Sequence, residues 1–170
     1  MVILLFLYLA IALVFSFFCS IAEAVLLSVR PAFVATLEER GTPGAKALAT
    51  LRDNLDRPLS AILSLNTIAH TVGAAGVGAE AAKVFGNEYV GLTSAILTLL
   101  ILIFSEIIPK TLGATYWPHL AAPLAPVIVT LMRLLSPFVW MSERITRLLS
   151  RQGASAFTFS RDELKAMAEI

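Results

Sequence analysis

Residues 89–113 read YVGLTSAILTLLILIFSEIIPKTLG, and this stretch decides the fold class. From Tyr89 to Ser105 it contains no Asp, Glu, Lys or Arg. A helix of about 20 mostly apolar residues is long enough to cross a bilayer. The charge that follows, on Glu106, would cost roughly 2.5–3.5 kcal/mol at the bilayer centre. Such a residue persists only where the protein compensates it, so we look for function around Glu106.

The whole chain has the composition of an integral membrane protein. Of its 170 residues, 58% are hydrophobic and 15% are charged, whereas about a quarter of a soluble chain is charged. The single cysteine, Cys19, excludes an intrachain disulfide framework. The net charge of +1 does not indicate a nucleic-acid partner, and we predict none.

Three stretches are predicted to cross the membrane, at residues 2–29, 58–82 and 89–113. Helices are expected there because a helix satisfies its own backbone hydrogen bonds in lipid. Residues 1–22 carry no charge, so they lack the basic start of a secretory signal peptide and belong to the first span. The predicted fold is therefore an all-α integral membrane protein with three transmembrane helices.

The distribution of basic residues predicts the orientation. Five Lys and Arg residues lie between the first and second spans, only Lys83 lies between the second and third, and seven follow from Lys110 onward. Loops rich in Lys and Arg stay in the cytoplasm. We therefore expect a multi-pass protein of the cell (inner) membrane, with the N-terminus outside and the C-terminus in the cytoplasm.

The remaining segments are predicted to lie at the inner membrane surface. Residues 31–57 resemble two short cytoplasmic belt helices. Residues 117–139 hold four prolines and Arg133, so we expect a Pro-broken, partly inserted segment there and not a fourth span. Residues 131–150 place apolar side chains opposite arginines, which predicts an amphipathic juxtamembrane helix. The transmembrane domain would then cover residues 1–150.

The last 20 residues are predicted to lead out of this domain. Residues 151–170 are expected to be a linker followed by the start of a helix. A capping box at Ser160-Arg161-Asp162-Glu163 supports that helix start. We expect the helix to lead into a cytosolic domain beyond Ile170.

Polar side chains of the three predicted spans fall at a shared depth. Counted from the basic residue that ends each span, five of them lie about 6–15 Å inside the inner boundary: Ser20, Glu23, Ser64, Asn66 and Glu106. Carboxylate, hydroxyl and amide oxygens suit a hard cation such as Mg²⁺ or Na⁺. Pro109 lacks an N–H, so the Ser105 carbonyl loses its helical partner, as in broken-helix ion sites. The set comprises Ser16, Ser20 and Glu23, then Ser64, Asn66, Thr67 and His70, then Ser105 and Glu106.

Purely structural roles for these polar residues remain open. Glu106 could pair with Lys110 four residues on, and Glu23 with Arg30. His70 and Asn66 could form hydrogen bonds between helices. Small residues four apart in the second span, such as Ala69 and Gly73, could serve packing within one subunit or between two. These alternatives are left to the tertiary structure.

Two motifs resemble the transmembrane (DUF21) domain of the CorC/CNNM family of magnesium transporters. Residues 105–113, SEIIPKTLG, are similar to the Glu-x-x-Pro-Lys-x-x-Gly signature of the family, and residues 17–28, FFCSIAEAVLLS, to its Ser-x-x-Glu-x-x-x-x-Ser pattern. The resemblance covers about residues 1–150. It implies a homodimer, nucleotide-binding CBS domains after the membrane domain, and Mg²⁺ efflux coupled to Na⁺ influx.

The resemblance also implies a ligand set for Mg²⁺. Ser20, Ser64, Asn66 and Glu106 occupy the matching positions, and Ser16, Glu23 and Ser105 are secondary candidates for the metal site. The second span departs from the family pattern. Relatives often show Gly before the Asn and a second Asn after it, where this chain has Leu65 and His70.

A Mg²⁺-sensing or scaffolding membrane module that transports nothing is the alternative function. An enzyme is not expected, because the His-Glu-x-x-His and Gly-x-Ser-x-Gly motifs are missing and the predicted spans contain no Asp. We therefore expect Mg²⁺ as the bound ion and Na⁺ as the coupling ion.

Overall fold

A computed structural model describes residues 2–141 and Arg144, and the regular structure in this part of the chain is helical. A 3₁₀ turn, Asn87–Tyr89, precedes the fifth α-helix, and a π-helical segment, Ile101–Ile107, joins the fifth α-helix to the sixth. The predicted all-α fold is confirmed. The helices are α1 (Val2–Ser28), α2 (Pro31–Glu39), α3 (Ala45–Asp53), α4 (Asp56–Phe85), α5 (Val90–Leu100) and α6 (Ile108–Leu134).

Three helices are long and apolar enough to cross a membrane, which confirms the predicted number of spans and a multi-pass membrane protein. They are α1, α4 and the continuous helix Asn87–Leu134, which includes α5, the π-helical segment and α6. The third contains 48 residues, so it would be about 72 Å long if straight. The hydrocarbon core of a bilayer is about 30 Å thick. This helix therefore extends well beyond one crossing.

Helices α1 and α4 pack closely because glycines lie between them. A Cβ on Gly73 would collide with the Cβ of Ala12, and a Cβ on Gly76 would lie 2.6 Å from the ring of Tyr8. These contacts also show that the two helices run in opposite directions. The small residue Gly73 thus serves packing within the subunit, which resolves one alternative left open by the sequence.

Helix α6 first runs alongside α1 and then bends back. A Cβ on Gly113 would lie 2.9 Å from the Ile21 carbonyl oxygen. A straight helix would carry Leu134 about 31 Å further along, yet Leu134 lines an apolar groove of about 710 Å³ together with Val14 and Phe18. Prolines inside a helix cause such bends. Pro118, Pro123 and Pro126 all lie inside α6.

The predicted Pro-broken segment is therefore a bent part of one continuous helix. The sequence suggested that the third span would end at Gly113. Helical structure instead continues past Gly113 to Leu134 without interruption. Of the juxtamembrane helix expected at 131–150, residues 131–141 and Arg144 are described, and the rest lies outside the described residues. The linker and helix start expected at 151–170 lie wholly outside them.

The main apolar core joins the two short helices to α1 and α6. Leu48 and Leu51 of α3 are buried against the same cluster as Leu26 of α1 and Ile128 of α6. Both α2 and α3 fall within residues 31–57. This core packs around the C-terminal end of α1. The polar residues of α1 described below lie closer to its N-terminus than Leu26.

Candidate metal site

A π-helical segment presents Ser105 and Glu106. The N–H of Ile108 donates to the carbonyl of Ile103, five residues back. Pro109 has no N–H, so it cannot donate to Phe104 in a π turn or to Ser105 in an α turn. Wide turns of this kind occur frequently at functional sites. The missing donor at Pro109 was the signal in the sequence, but the π-helical geometry itself was not predicted.

A chain of short hydrogen bonds connects the three membrane helices. The Ser105 hydroxyl donates to Ser16 Oγ at 2.6 Å. Ser16 Oγ in turn lies 2.5 Å from Nε2 of His70. Both serines are fully buried. The chain therefore ties the π-helical segment to α1 and α1 to α4 inside the protein.

Glu106 lies at the end of this chain, and within residues 2–141 no Lys or Arg pairs with it. Its Oε1 is 3.9 Å from Nδ1 of His70, and its side chain is 36% exposed. That separation is too long for a direct hydrogen bond. Within residues 2–141, His70 is the ionisable side chain that lies within ion-pair distance of Glu106. In the part of the chain that the structure describes, therefore, no Lys or Arg neutralises the carboxylate.

Lys110 pairs with Glu23 instead. Its Nζ lies 3.3 Å from Glu23 Oε2, which links α6 to α1. Neither of the pairings considered from the sequence, Glu106 with Lys110 or Glu23 with Arg30, is formed. The four-residue spacing along one helix favoured a pair between Glu106 and Lys110. The packing of α6 against α1 instead brings Lys110 to Glu23.

Two buried oxygens near this chain lack hydrogen-bond partners. Ser20 Oγ and Asn66 Oδ1 are both inaccessible and unpaired. In the described residues, the other such atom is Nε of Arg52, in α3. An unsatisfied buried polar group costs about 1–3 kcal/mol, and each case calls for an explanation such as a bound water or ion.

The helix register places the two residues that carry these oxygens opposite each other. Gly73 meets Ala12 and His70 meets Ser16, so α4 runs antiparallel to α1. Ser20 lies one turn after Ser16 on the same face of α1, and Asn66 lies one turn before His70 on the same face of α4. Continuing the register by one turn therefore brings Ser20 opposite Asn66.

The π-helical segment adds a backbone oxygen to the same level. Ser105 contacts Ser16, and Gly113 packs against Ile21, so this part of the long helix runs parallel to α1. A helical carbonyl points toward the C-terminal end of its helix. The Ser105 carbonyl thus points from the level of Ser16 toward that of Ser20. The Glu23–Lys110 pair lies about one turn further on.

Two other polar residues of α4, Ser64 and Thr67, have surroundings different from those of Asn66. Ser64 is two residues from Asn66, which turns it about 200° around α4, and it is partly exposed. The hydroxyl of Thr67, the residue after Asn66, donates to the Leu63 carbonyl at 2.9 Å. The register therefore brings Ser20 opposite Asn66, one turn from His70, which faces Glu106. Ser64 lies on a different side of α4 from Asn66.

The chemistry of these groups favours a hard cation. The donors are a carboxylate, a hydroxyl, an amide oxygen and a backbone carbonyl, which Mg²⁺ and Na⁺ prefer. Across residues 2–141 there is no group of three or more His, Cys, Asp or Glu that could hold a metal, as a zinc or copper site would need. With Glu23 paired to Lys110, Glu106 leaves one negative charge for an ion to balance.

The chain is similar to one protein family and to several known proteins. The family described as cyclin M transmembrane N-terminal domain matches residues 7–170. The UPF0053 protein sll1254 of Synechocystis is 42% identical over 136 residues, or 80% of this chain. The UPF0053 inner membrane protein YfjD of Escherichia coli is 30% identical over 115 residues, or 68% of this chain. The matched parts are 39% and 27% of those relatives, so the chain spans less than half of either.

Proposed function

The chain belongs to the cyclin M transmembrane N-terminal domain family, and from this premise we propose that it transports Mg²⁺ across the membrane. The observation that carries the proposal is the pair of buried, unpartnered oxygens on Ser20 and Asn66. They lie near a carboxylate, Glu106, that no Lys or Arg of the described part neutralises. A cation bound between them would satisfy both oxygens and the charge.

In this proposal Glu106 supplies the anionic oxygen. Ser20 contributes its hydroxyl, Asn66 its amide oxygen and Ser105 its backbone carbonyl. Mg²⁺ demands nearly octahedral coordination and usually keeps several waters, so a few protein oxygens are enough. Ser64 remains a ligand only if α4 rotates. The hydroxyls of Ser16 and Ser105 hold α1 and the π-helical segment together. Glu23 stays paired with Lys110.

Movement of the ion requires the site to open alternately to each side. The π-helical segment next to Pro109 is suited to this because π turns and prolines are where helices bend. We propose Mg²⁺ efflux driven by Na⁺ influx, with Na⁺ favouring one conformation by binding it better. The basic residues support an N-terminus outside and a C-terminus in the cytoplasm. The coupling rests on the likeness to the CorC/CNNM family.

The same likeness supports a homodimer and CBS domains in the full-length protein. The chain spans less than half the length of these relatives. The homodimer is proposed for the membrane domain, and the CBS domains for the part of the full-length protein that follows it. A Mg²⁺-sensing or scaffolding module is the competing function, and flux measurements separate the two.

The decisive experiment measures Mg²⁺ flux in liposomes containing the full-length protein under an imposed Na⁺ gradient. We expect flux that depends on Na⁺ and is abolished by Glu106→Gln. Glu88→Gln is the matched control, because Glu88 is exposed in the 3₁₀ turn. Mg²⁺ binding without flux in the unmodified protein would establish the sensing or scaffolding function instead. Unchanged flux in Glu106→Gln would remove Glu106 from the site.

A further inference from the structure

Lys110 lies within reach of two carboxylates. It follows Glu106 by four residues, and side chains four apart on a helix are neighbours, with Cβ atoms about 5–6 Å apart. Glu followed by Lys at this spacing is also the order that favours an ion pair. In the structure, however, Lys110 Nζ lies 3.3 Å from Glu23 Oε2 on α1. The pair between two helices has therefore formed in place of the pair within one helix.

The packing of α1 against α6 gives the reason. A Cβ on Gly113 would lie 2.9 Å from the Ile21 carbonyl oxygen. Glu23 comes two residues after Ile21 and Lys110 three residues before Gly113, so this close approach brings their two turns together. The Glu23 side chain is also less exposed than that of Glu106, at 19% against 36%. Because a buried charge needs a partner more than a solvated one does, the ammonium group neutralises the more buried carboxylate.

Removing the charge of Glu23 would leave the Lys110 ammonium group without its partner. Glu106 is then the carboxylate one turn away on the same continuous helix, and within residues 2–141 no Lys or Arg pairs with it. Opposite charges attract more strongly inside a protein than in water, because the effective dielectric constant is lower. An ammonium group on Glu106 would occupy the carboxylate oxygens that a metal ion needs. The availability of Glu106 therefore depends on where Lys110 is held.

We propose that Glu23 is a positioning residue, which keeps the Lys110 ammonium group away from Glu106 and thereby keeps Glu106 free to bind Mg²⁺. This inference rests on the proposed function, since it assumes that Glu106 binds the ion. Glu23 does not touch the ion in this role, because its effect passes through Lys110. The loss of Glu23 should therefore weaken Mg²⁺ binding only while Lys110 is present.

The experiment measures the Mg²⁺ affinity of the full-length protein by calorimetry in lipid nanodiscs. We expect Glu23→Gln to bind Mg²⁺ about fivefold more weakly, because a partly exposed ion pair between Lys110 and Glu106 has to be broken first. Lys110→Met should bind Mg²⁺ at least as tightly as the unmodified protein, because it removes the competing charge. The double variant Glu23→Gln with Lys110→Met should bind within about twofold of the unmodified protein.

Glu80→Gln is the matched control. Lys83 Nζ lies 2.7 Å from Glu80 Oε1, so this substitution also removes the carboxylate of a Glu–Lys pair and changes the net charge equally. Glu80 comes ten residues after His70, about 15 Å further along α4, and the Mg²⁺ affinity should stay unchanged. Equal losses in Glu23→Gln and Glu80→Gln would assign the effect to net charge and overturn the inference. Unchanged binding in Glu23→Gln, or an equal loss in the double variant, would overturn it as well.

A second measurement does not depend on Mg²⁺ binding. An experimental structure of ion-free Glu23→Gln should show Lys110 Nζ within about 4 Å of a Glu106 carboxylate oxygen. Lys110 turned toward water in that structure overturns the inference even if the Mg²⁺ affinity falls. If the unmodified protein binds no Mg²⁺, the proposed function fails, and the role of Glu23 toward an ion fails with it for that separate reason.

Discussion

Lys110 Nζ lies 3.3 Å from Glu23 Oε2, so the cation nearest to Glu106 in sequence neutralises a carboxylate on a different helix. The pair joins α6 to α1 about one turn beyond Ser20 and Asn66. Its formation leaves Glu106 with His70 as its partner. Because Lys110 pairs with Glu23, the negative charge that an ion would balance is that of Glu106.

The Glu23–Lys110 pair should stabilise the packing of α1 against α6. Lys110→Met would leave the Glu23 carboxylate, 19% exposed, without its partner, and we expect a loss of about 1–3 kcal/mol in unfolding free energy. Thermal unfolding followed by fluorescence would measure it. The double variant Lys110→Met with Glu23→Gln should recover most of the loss. Equal losses in the single and double variants would contradict a direct pairing.

The close approach of α4 to α1 should depend on Gly73. Gly73→Ala adds a methyl group that collides with Ala12, and overpacking of this kind costs about 1–3 kcal/mol. Gly78→Ala in the same helix is the matched control, because its added Cβ meets nothing within 4 Å. A lower melting temperature is expected for Gly73→Ala alone, and Ala12→Gly should restore it. Equal effects at both glycines would exclude this contact as the cause.

The unpartnered oxygens of Ser20 and Asn66 should serve ion binding at the expense of stability. Ser20→Ala and Asn66→Leu remove them, so we expect at least a tenfold loss of Mg²⁺ affinity. The ion-free protein should be as stable as before, or more stable by about 1–3 kcal/mol. Calorimetry and thermal unfolding measure the two effects. Ser94→Ala, whose hydroxyl only bonds back to the Val90 carbonyl, is the control and should retain full affinity.

The π-helical segment should depend on the missing N–H of Pro109. Pro109→Ala restores a donor for the Ser105 carbonyl, which should return the segment to α-helical register and weaken Mg²⁺ binding. Pro118→Ala, also inside α6 but beyond the segment, is the control. An experimental structure of each variant, with titration of Mg²⁺, would test this. A retained π-helical segment in Pro109→Ala would show that packing alone maintains it.

Fold class and span number could be predicted because they depend on local properties. The charge-free run that ends at Ser105 requires a membrane helix whatever its neighbours are, and residues 2–29 and 58–82 follow the same reasoning. The sequence could also have predicted that Ser64 points away from Asn66. Two residues of helix separate it from Asn66 by more than half a turn, which places the two side chains on different faces of α4.

The amino-acid sequence was enough to predict three membrane-length helices. It was also enough to identify Glu106 as an acidic residue too costly to be left in lipid without compensation. What surrounds that residue depends on how the helices pack together. The pairing of Lys110 with Glu23 and the link from Ser105 through Ser16 to His70 join residues on different helices. Such contacts follow from helix register and close packing, which depend on the whole set of side chains between the helices and not on the spacing within any one of them.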